Sequence, residues 1–445
     1  MQIYAIEPGK LLRIGGPAAV RVIEGEVYVM GKVYGPDSKF TVLRARKVIV
    51  KPRTAAKLEI TLGPDGSVEE ARPDEEVIDI WEDTINKLDL RGITVILGAM
   101  DVGKTTLTVM LANKVANNGK RVGIIDADLG QNDLGPPATV DAAILEPGQA
   151  ITHLRMLRPV KAMFLKTTSV ERVWQDVIAA VKKLTDYLTQ SEGVSSVIVN
   201  TDGWISTERA IEYKTSLVEK LEPTNVIVIK RADEADALIR ALQEKFGQKT
   251  NIVTLPAPPA ARVRSKEDRR IHREMGYGKY LTPPRDVSLD LKAVPIVNFP
   301  ICAGTTLTNE FINLVKKTVK HSLAYCELIG GCVVAVATDL QKKDPEIHDM
   351  PGGGKVIILP QGWERGLLVG LEDDSNFLLA LGRLKKIYYN TRKAIVTISR
   401  TFTDLNKVHH IRLGMIRLND QFEEIEKVNY ITKLENLVQG RRTRQ

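Results

Sequence analysis

The chain has 445 residues, more than one hydrophobic core usually supports, so we expect several domains. With 43% hydrophobic and 27% charged residues it can bury such cores, which excludes a disordered chain. The 63 Lys and Arg against 55 Asp and Glu leave a net charge of +8. The three cysteines form no close pairs, which excludes a disulfide scaffold and a cysteine-based zinc site.

The sequence contains no targeting or membrane-spanning pattern. The first residues, MQIYAIEPGK, lack the apolar segment of a signal peptide. No run of about 18 uncharged apolar residues occurs anywhere in the chain. We therefore expect a soluble, cytoplasmic protein that does not bind membranes.

Residues 1–85 predict a small N-terminal β domain. Short alternating runs at 26–30, 47–51 and 57–62 are separated by turn-forming residues, such as the GPDG sequence at 63–66. Residues 79–90 have helical spacing and lead into the next part of the chain.

Residues 86–285 have the pattern of an α/β domain. Near-continuous apolar runs at 93–97, 121–125, 194–200 and 225–229 alternate with helical segments, of which 104–118 is the clearest. Strands of this kind are typical of a mostly parallel sheet covered on both faces. Residues 286–445 return to short strands and predict a C-terminal β-rich domain. The predicted fold is therefore a central, mostly parallel α/β domain with small β-rich domains on either side in the sequence.

A phosphate-binding loop follows the first of these strands. The sequence GAMDVGKTT at 98–106 matches G-x-x-x-x-G-K-[ST] between a strand and a helix. The glycines let backbone N–H groups turn toward phosphate, Lys104 reaches the β- and γ-oxygens, and the Thr105 hydroxyl is placed for Mg²⁺. The loop predicts that the central domain is of the P-loop NTPase type. The residues predicted to bind the nucleotide are Gly98, Asp101, Val102, Gly103, Lys104, Thr105 and Thr106.

Two acids follow the next strand, in the sequence DADLGQ at 126–131. At the carboxyl end of a parallel strand they would lie beside the phosphate loop. One carboxylate could hold Mg²⁺ and the other could accept a proton from an attacking hydroxyl. Side chains two residues apart in a strand lie on the same face, so Asp126 and Asp128 would point the same way. The spacing therefore does not decide which acid holds the metal and which accepts the proton. Gln131 could position a substrate.

Two later strands end in polar residues that bear on ligand binding. The sequence NTDGW at 200–204 contains Trp204, which could be a core residue or could stack on a nucleic acid base. The sequence KRAD at 230–233 stands where GTPases carry N-K-x-D, but it lacks the Asn, so guanine selectivity is not supported.

Residues 261–285 concentrate positive charge, with eight Lys and Arg against three acids. On a helix from about residue 265, Arg269, Arg270 and Arg273 lie close together. Guanidinium groups near a triphosphate stabilise the transferring phosphoryl group, so a lid near 262–275 is one interpretation. A solvated basic helix is the other.

The motifs GAMDVGKTT, DADLGQ, NTDGW and RSKEDRR, in this order, resemble those of the Clp1/Grc3 family of polynucleotide 5′-hydroxyl kinases. The resemblance covers about residues 91–280, and the three-part layout is similar to Clp1. It implies transfer of the γ-phosphate of ATP to the 5′-hydroxyl of RNA, in some members DNA, with Mg²⁺. It also implies protein partners in RNA processing and indicates an archaeal, Clp1-like member.

The resemblance assigns roles to individual residues. Lys104 would be the phosphate-loop lysine, and Thr105, with Asp126, would hold the metal. Asp128 would act as the base on the 5′-hydroxyl. The substrate-binding residues implied are Asp128, Gln131, Thr201 and Trp204, and the catalytic lid arginines are Arg264 and Arg269 or Arg270. One departure is visible at 275–278, where MGYG replaces an aromatic-rich segment of eukaryotic members.

Two other functions remain compatible with the phosphate loop. One is a scaffold subunit of an RNA-processing complex that keeps ATP without turnover, although such a subunit has no need of Asp128 and lid arginines. The other is an ATPase or GTPase switch, which the failed N-K-x-D motif disfavours. The choice between RNA and DNA stays open at this point.

Overall fold

The computed structural model describes residues 1–44, 46–259, 264–299, 301–342, 344–351 and 353–438. These residues divide into two compact units. The first unit contains residues 1–135, 139–162 and 169–269, and the second contains 136–138, 163–168 and the chain from residue 270 onward. None of the described helices has the length and apolarity that a membrane crossing requires.

The N-terminal part of the first unit is built from short antiparallel strands. These strands are β1 (Gln2–Ile6), β2 (Leu11–Gly15), β3 (Ala18–Glu24), β4 (Val27–Val29), β5 (Lys32–Tyr34), β6 (Lys39–Val42), β7 (Lys47–Pro52), β8 (Ala56–Leu62) and β9 (Ser67–Ala71). They form one sheet in the order β1-β8-β3-β6 and another in the order β5-β4-β7-β2-β9. Alternating burial along β3 and β8 follows the alternating sequence, as expected for strands with one face in the core.

A mostly parallel sheet forms the centre of the first unit. Its strands are β10 (Gly92–Gly98), β11 (Val122–Ala127), β12 (Thr139–Leu145), β13 (Lys161–Phe164), β14 (Ser196–Thr201), β15 (Asn225–Lys230) and β16 (Asn251–Pro256). The order is β13-β12-β11-β14-β10-β15-β16. From β11 to β16 in this order, each strand is parallel to its neighbour, whereas β12 runs antiparallel to β11. Every residue of β11 and β14 is buried, which explains their continuous apolar runs.

Helices connect these strands. They are α1 (Ile78–Lys87), α2 (Lys104–Asn117), α3 (Trp174–Asp186), α4 (Glu208–Leu221) and α5 (Asp236–Phe246), and a π-helical turn at Tyr187–Ser191 continues α3. The Thr207 side chain caps α4 by accepting the amide of Ala210 at 3.2 Å. One hydrophobic core runs from the N-terminal strands to the central sheet, with Ile60, Trp81 and Leu107 among its buried members.

The second unit contains two more sheets. Its elements are most of α6 (Lys266–Leu281), then β17 (Pro284–Asp290), β18 (Thr305–Thr306), α7 (Asn309–Val319), β19 (Leu323–Ile329), β20 (Cys332–Ala337), β21 (Glu346–Asp349), β22 (Lys355–Pro360), β23 (Leu367–Glu372), β24 (Leu378–Tyr388), β25 (Lys393–Ser399), β26 (His410–Leu418), β27 (Glu424–Lys427) and α8 (Tyr430–Val438). The sheet orders are β17-β25-β24-β23-β26-β27 and β18-β19-β20-β22-β21.

The predicted fold class is confirmed: a central, mostly parallel α/β sheet lies between N-terminal and C-terminal β-rich regions in the sequence. The predicted helices at 79–90 and 104–118 are α1 and α2, with ends within a few residues. The predicted boundaries at residues 85 and 285 separate three domains, whereas the structure divides into two compact units. These boundaries therefore stay predictions.

Trp81 should stabilise the first unit strongly. It is 2% exposed, and its Nε1 donates to the carbonyl oxygen of Pro256 at 2.9 Å. Trp81→Ala should lower the free energy of unfolding by about 3–5 kcal/mol, because a large buried ring leaves a cavity. Ile80→Ala on the exposed side of α1 should change it by less than about 0.5 kcal/mol. Denaturant unfolding measures both, and equal effects of the two substitutions would contradict this assignment.

Candidate active site

The predicted motifs follow three neighbouring strands of the central sheet. β10 ends at Gly98, β11 at Ala127 and β14 at Thr201, and β14 lies between the other two. The register sets Asp126 of β11 opposite Asn200 of β14. Because parallel strands end on the same edge of a sheet, the phosphate loop, the acids and the loop after β14 meet there.

The phosphate loop adopts backbone conformations that favour glycine. The φ angles of Gly98, Asp101 and Gly103 are 147°, 58° and 98°. A Cβ atom on Gly98 would lie 2.4 Å from the carbonyl oxygen of Ile229, so the loop passes too close to β15 for a side chain. α2 begins at Lys104 directly after the loop, and the positive end of its dipole faces the loop.

Lys104 is the buried cation of this loop. It is 7% exposed, and its Nζ donates to the carbonyl oxygens of Gly98 at 2.9 Å and Ala99 at 2.6 Å. Burial lowers the pKa of Lys104 to about 8, against the attraction of nearby carboxylates. Of the other predicted ATP-binding residues, Val102 is buried and Thr106 is exposed.

Thr105 and Asp126 share one neighbouring amide. The Nδ2 of Asn200 donates to Oδ1 of Asp126 at 2.9 Å and lies 3.5 Å from the Thr105 hydroxyl oxygen. The Oδ1 of Asn200 is buried and accepts no hydrogen bond within the described part of the chain. Hydroxyl, carboxylate and amide oxygens are the donors that Mg²⁺ prefers, so these residues fit the predicted metal.

A magnesium ion at this place would not need a cluster of protein ligands. The residues that the structure describes contain no group of three or more His, Cys, Asp or Glu suited to a metal. A phosphate-loop magnesium ion takes most of its oxygens from phosphate and water, so one hydroxyl and one carboxylate suffice.

Asp126 is more buried than Asp128, the other acid predicted after β11. It is fully buried, and its Oδ2 accepts the amide of Asp133 at 2.9 Å. Burial raises the pKa of Asp126 to about 7, and repulsion from Asp128 and Asp133 acts in the same direction. A nearby cation would favour the ionised form of this carboxyl.

Asp128 is more accessible than Asp126, with one oxygen held by the backbone. Its Oδ1 accepts the amides of Gly130 at 3.1 Å and Gln131 at 2.9 Å. No donor among the described residues reaches its Oδ2. Burial raises the pKa of Asp128, repulsion from Asp202 raises it further, and Lys104 opposes both. Asp128 therefore presents one carboxylate oxygen whose affinity for a proton is above the ordinary value.

The loop after β14 is anchored by a buried ion pair that the sequence did not predict. Oδ2 of Asp202 accepts Nζ of Lys214 at 2.7 Å and the hydroxyl of Tyr213 at 3.0 Å. Both partners lie on α4 and are fully buried. Oδ1 of the same carboxylate accepts the amide of Trp204 at 2.9 Å. Asp202 thus fixes the Trp204 backbone to α4.

Trp204 and Thr201 occupy different environments. The Trp204 ring is partly exposed and stacks on Tyr213, with ring centroids 6.1 Å apart and planes at 25°. Thr201 is fully buried, and its hydroxyl donates to the carbonyl oxygen of Ile96 at 2.8 Å. The partly exposed indole can meet a ligand, whereas the Thr201 hydroxyl is used to join β14 to β10.

Two of the predicted lid arginines contact the phosphate loop. Oδ2 of Asp101 accepts the amide of Arg264 at 3.0 Å and Nη2 of Arg269 at 2.7 Å. Nε2 of Gln131 donates to the carbonyl oxygen of Arg269 at 3.1 Å, so Gln131 links the acidic segment to the start of α6. Oε1 of Gln131 is buried and unpaired within the described residues.

The third predicted lid arginine has other contacts. Nε of Arg270 donates to Oε1 of Glu274 at 2.9 Å, and its Nη2 donates to the carbonyl oxygen of Glu424 at 3.1 Å, all within the second unit. This is the i,i+4 pair that a solvated basic helix predicts. Residues 262 and 263 of the predicted lid lie outside the described residues.

Sequence reasoning missed several residues of this edge. Asn200 was visible as the polar end of an apolar strand. Asp202 stood within the NTDGW motif without an assigned role. Lys214 and Tyr213 gave no signal, because nothing in an amphipathic helix marks which of its residues turns toward an acid. Arg231 also gave none, although its Nη2 donates to the carbonyl oxygen of Asp101 at 2.6 Å.

Known proteins include similar sequences and a similar fold. Residues 98–282 match the family model described as mRNA cleavage and polyadenylation factor CLP1 P-loop. A polyribonucleotide 5′-hydroxyl-kinase of Methanocaldococcus jannaschii is 27% identical over 333 residues, 74% of this chain and 88% of that protein. The polyribonucleotide 5′-hydroxyl-kinase of Pyrococcus abyssi is 26% identical over 332 residues, with the same coverage of both chains.

A solved structure has the same fold. The Clp1p chain from a complex with Pcf11p superposes with a TM-score of 0.59 at 14% identity, covering 94% of this chain and 97% of that chain. The likeness extends well beyond the residues that the family model matches. The chain is therefore similar to the Clp1 P-loop family over residues 98–282, and its similarity to the archaeal kinases extends over about three quarters of the sequence.

Proposed function

We propose that this protein is an ATP-dependent polynucleotide 5′-hydroxyl kinase that transfers the γ-phosphate of ATP to the 5′-hydroxyl of RNA. The observation that carries the proposal is the placement of Asp128, an open carboxylate, on the same sheet edge as the phosphate loop with Lys104. The archaeal relatives named polyribonucleotide 5′-hydroxyl-kinases support it. A scaffold that only holds ATP has no need of this carboxylate.

Asp126 and Asp128 have different roles in this proposal. Asp126, buried beside the Thr105 hydroxyl, would hold Mg²⁺ with it, and the metal would neutralise charge on the phosphate oxygens. Asp128 would accept the proton of the 5′-hydroxyl through Oδ2, because its raised pKa makes it a stronger base than an ordinary carboxylate. Lys104 would bind the β- and γ-phosphate oxygens.

The remaining predicted residues would bind substrate and stabilise charge. Trp204 would stack on the terminal base, and Gln131 would orient the strand end through its unpaired Oε1. Arg264 and Arg269, which reach Asp101 of the phosphate loop, would stabilise the transferring phosphoryl group. The contacts of Arg270 with Glu274 and Glu424 favour Arg264 and Arg269 as the lid pair.

The first test follows the label of γ-labelled ATP in the presence of 5′-hydroxyl RNA. The kinase predicts labelled RNA, a scaffold predicts no transfer, and an NTPase switch predicts free phosphate. Lys104→Ala and Asp128→Asn should each reduce transfer by about 10²–10⁴-fold, while Asp128→Asn should retain ATP binding. The exposed Lys220→Ala and Asp83→Asn serve as matched controls. Full transfer by Lys104→Ala would falsify the proposal, and parallel rates on RNA and DNA give the acceptor preference.

Nucleotide affinity should fall at alkaline pH. Free Lys104 has a lowered pKa of about 8, whereas bound phosphates favour its charged form. Binding above this pH must therefore take up a proton, and the affinity should weaken by roughly tenfold per pH unit above 8. Lys104→Arg stays charged and should lose this dependence. Titrations with ATP between pH 7 and 9.5 measure it, and an unchanged slope in Lys104→Arg would exclude Lys104 as its source.

Trp204 should contribute to RNA binding without contributing to ATP binding. Trp204→Ala should raise the KM for RNA by the loss of about 1–3 kcal/mol of base stacking, and Trp204→Phe should restore most of it. Trp174→Ala is the matched control, because Trp174 also packs on Tyr213, with ring centroids 6.1 Å apart. Steady-state kinetics in which RNA and ATP are varied in turn separate the effect on RNA binding from the effect on ATP binding. Equal rises in the RNA KM for both Ala variants would indicate only a packing role.

A further inference from the structure

A second charged cluster lies beside the acids of the active-site edge and is centred on Asp133. The Asp133 amide donates to Asp126, and its side chain is almost fully buried. Its Oδ1 accepts Nη2 of Arg46 at 2.7 Å and Nε of Arg155 at 3.1 Å. Its Oδ2 lies 3.3 Å from Nε2 of His153. The cluster joins three separate segments of the first unit at one carboxylate.

Arg46 brings the N-terminal strands into this cluster. It lies in the loop between β6 and β7, and 19% of its side chain is exposed. The segment after β12 supplies His153 and Arg155. Arg155 would still pair with Asp133 in the absence of Arg46, so Arg46 is not the only charge that balances this acid.

Two further guanidinium groups act electrostatically on Arg46. Burial lowers the pKa of Arg46, Asp133 opposes this, and repulsion from Arg264 and Arg155 lowers the pKa further. Burial also lowers the pKa of His153, so this ring is neutral at pH 7. The guanidinium groups of Arg264 and Arg155 therefore both lie within electrostatic reach of Arg46, an arrangement that favours an anion there.

The position of the cluster narrows the choice of anion. Asp133 contacts Asp126 on one side, and the amide of Arg264 contacts Asp101 of the phosphate loop on the other. An anion at Arg46 would thus lie next to both the acids and the loop. Arg is the residue that best binds phosphate oxygens, through paired N–H donors.

We propose that Arg46, with Arg155 beside it, binds a phosphodiester group of the acceptor strand, within the first two linkages on the 3′ side of the reacting hydroxyl. This inference rests on the proposed kinase function. It gives the N-terminal β region a direct part in substrate binding: the loop between β6 and β7 would hold the strand while Trp204 stacks on its end. Such a contact positions the strand and reads no base.

The test compares two 5′-hydroxyl RNA acceptors of one sequence. One carries natural linkages, and the other carries uncharged methylphosphonates at the first two linkages. With the wild-type protein the uncharged acceptor should have a KM at least tenfold higher. Arg46→Gln should raise the KM for the natural acceptor by a similar factor, leave the KM for ATP unchanged and leave the uncharged acceptor unaffected. Arg44→Gln, an exposed arginine of the same loop, is the matched control.

Each other outcome has a definite meaning. Equal KM values for the two acceptors with the wild-type protein would overturn the inference without any variant, even if Arg46→Gln fails to fold. A rise in the KM for ATP alone would assign the cluster to the nucleotide phosphates and would also overturn it. Equal loss on both acceptors would leave only a structural role for Arg46. Absence of transfer to either acceptor by the wild-type protein would instead refute the proposed kinase function.

A salt titration gives an independent measurement. Each phosphate contact with single-stranded nucleic acid releases counterions and adds about 0.7 to the slope of log affinity against log salt. Arg46→Gln should therefore reduce this slope by about 0.7 when RNA binding is measured without ATP. The Arg44→Gln control should leave it unchanged, and a slope unaffected by Arg46→Gln would contradict the contact.

Discussion

The active-site edge depends on burying charges of both signs close together. Lys104, Asp126 and Lys214 are fully or almost fully buried, and Asp128 and Asp202 lie among them. Burial alone would drive each of these groups toward its neutral form. Charges of opposite sign reduce this effect: the pKa of Lys104 falls only to about 8 because nearby carboxylates oppose its burial. The same compensation keeps an acid available as a base next to a lysine that binds phosphate.

Sheet topology makes this arrangement possible. β14 lies between β11 and β10 in parallel register, so residues separated by more than 70 positions in the sequence become neighbours. Asn200 illustrates the result, because its amide donates to Asp126 and lies next to the Thr105 hydroxyl. Helices on either side seal the strands from water, which strengthens every electrostatic interaction at their ends. The packing that buries the strands therefore also strengthens the interactions among the charged residues at their ends.

Local patterns in the sequence predict much of the fold and of the active-site edge. The phosphate loop, the strand before it and α2 follow from spacing alone, because glycine conformations and the apolar period are local properties. Long-range pairings are not local. The contact of Lys214 with Asp202 and the meeting of Arg46 with Asp133 depend on how separate elements pack. Thr201 shows the opposite case: its place in a motif predicts a substrate contact, but β10 offers its hydroxyl a nearer partner.

The Asp202–Lys214 pair shows why the site is built from charges where apolar residues would also pack. A buried ion pair is weak evidence for stability, because the cost of removing two ions from water offsets their attraction. A hydrophobic pair of similar volume could join the loop to α4 as firmly. Such a pair could not accept the Trp204 amide, and it would remove the repulsion from Asp202 that raises the pKa of Asp128. The charges therefore set both the position of the indole and the proton affinity of the acid, which apolar packing cannot do.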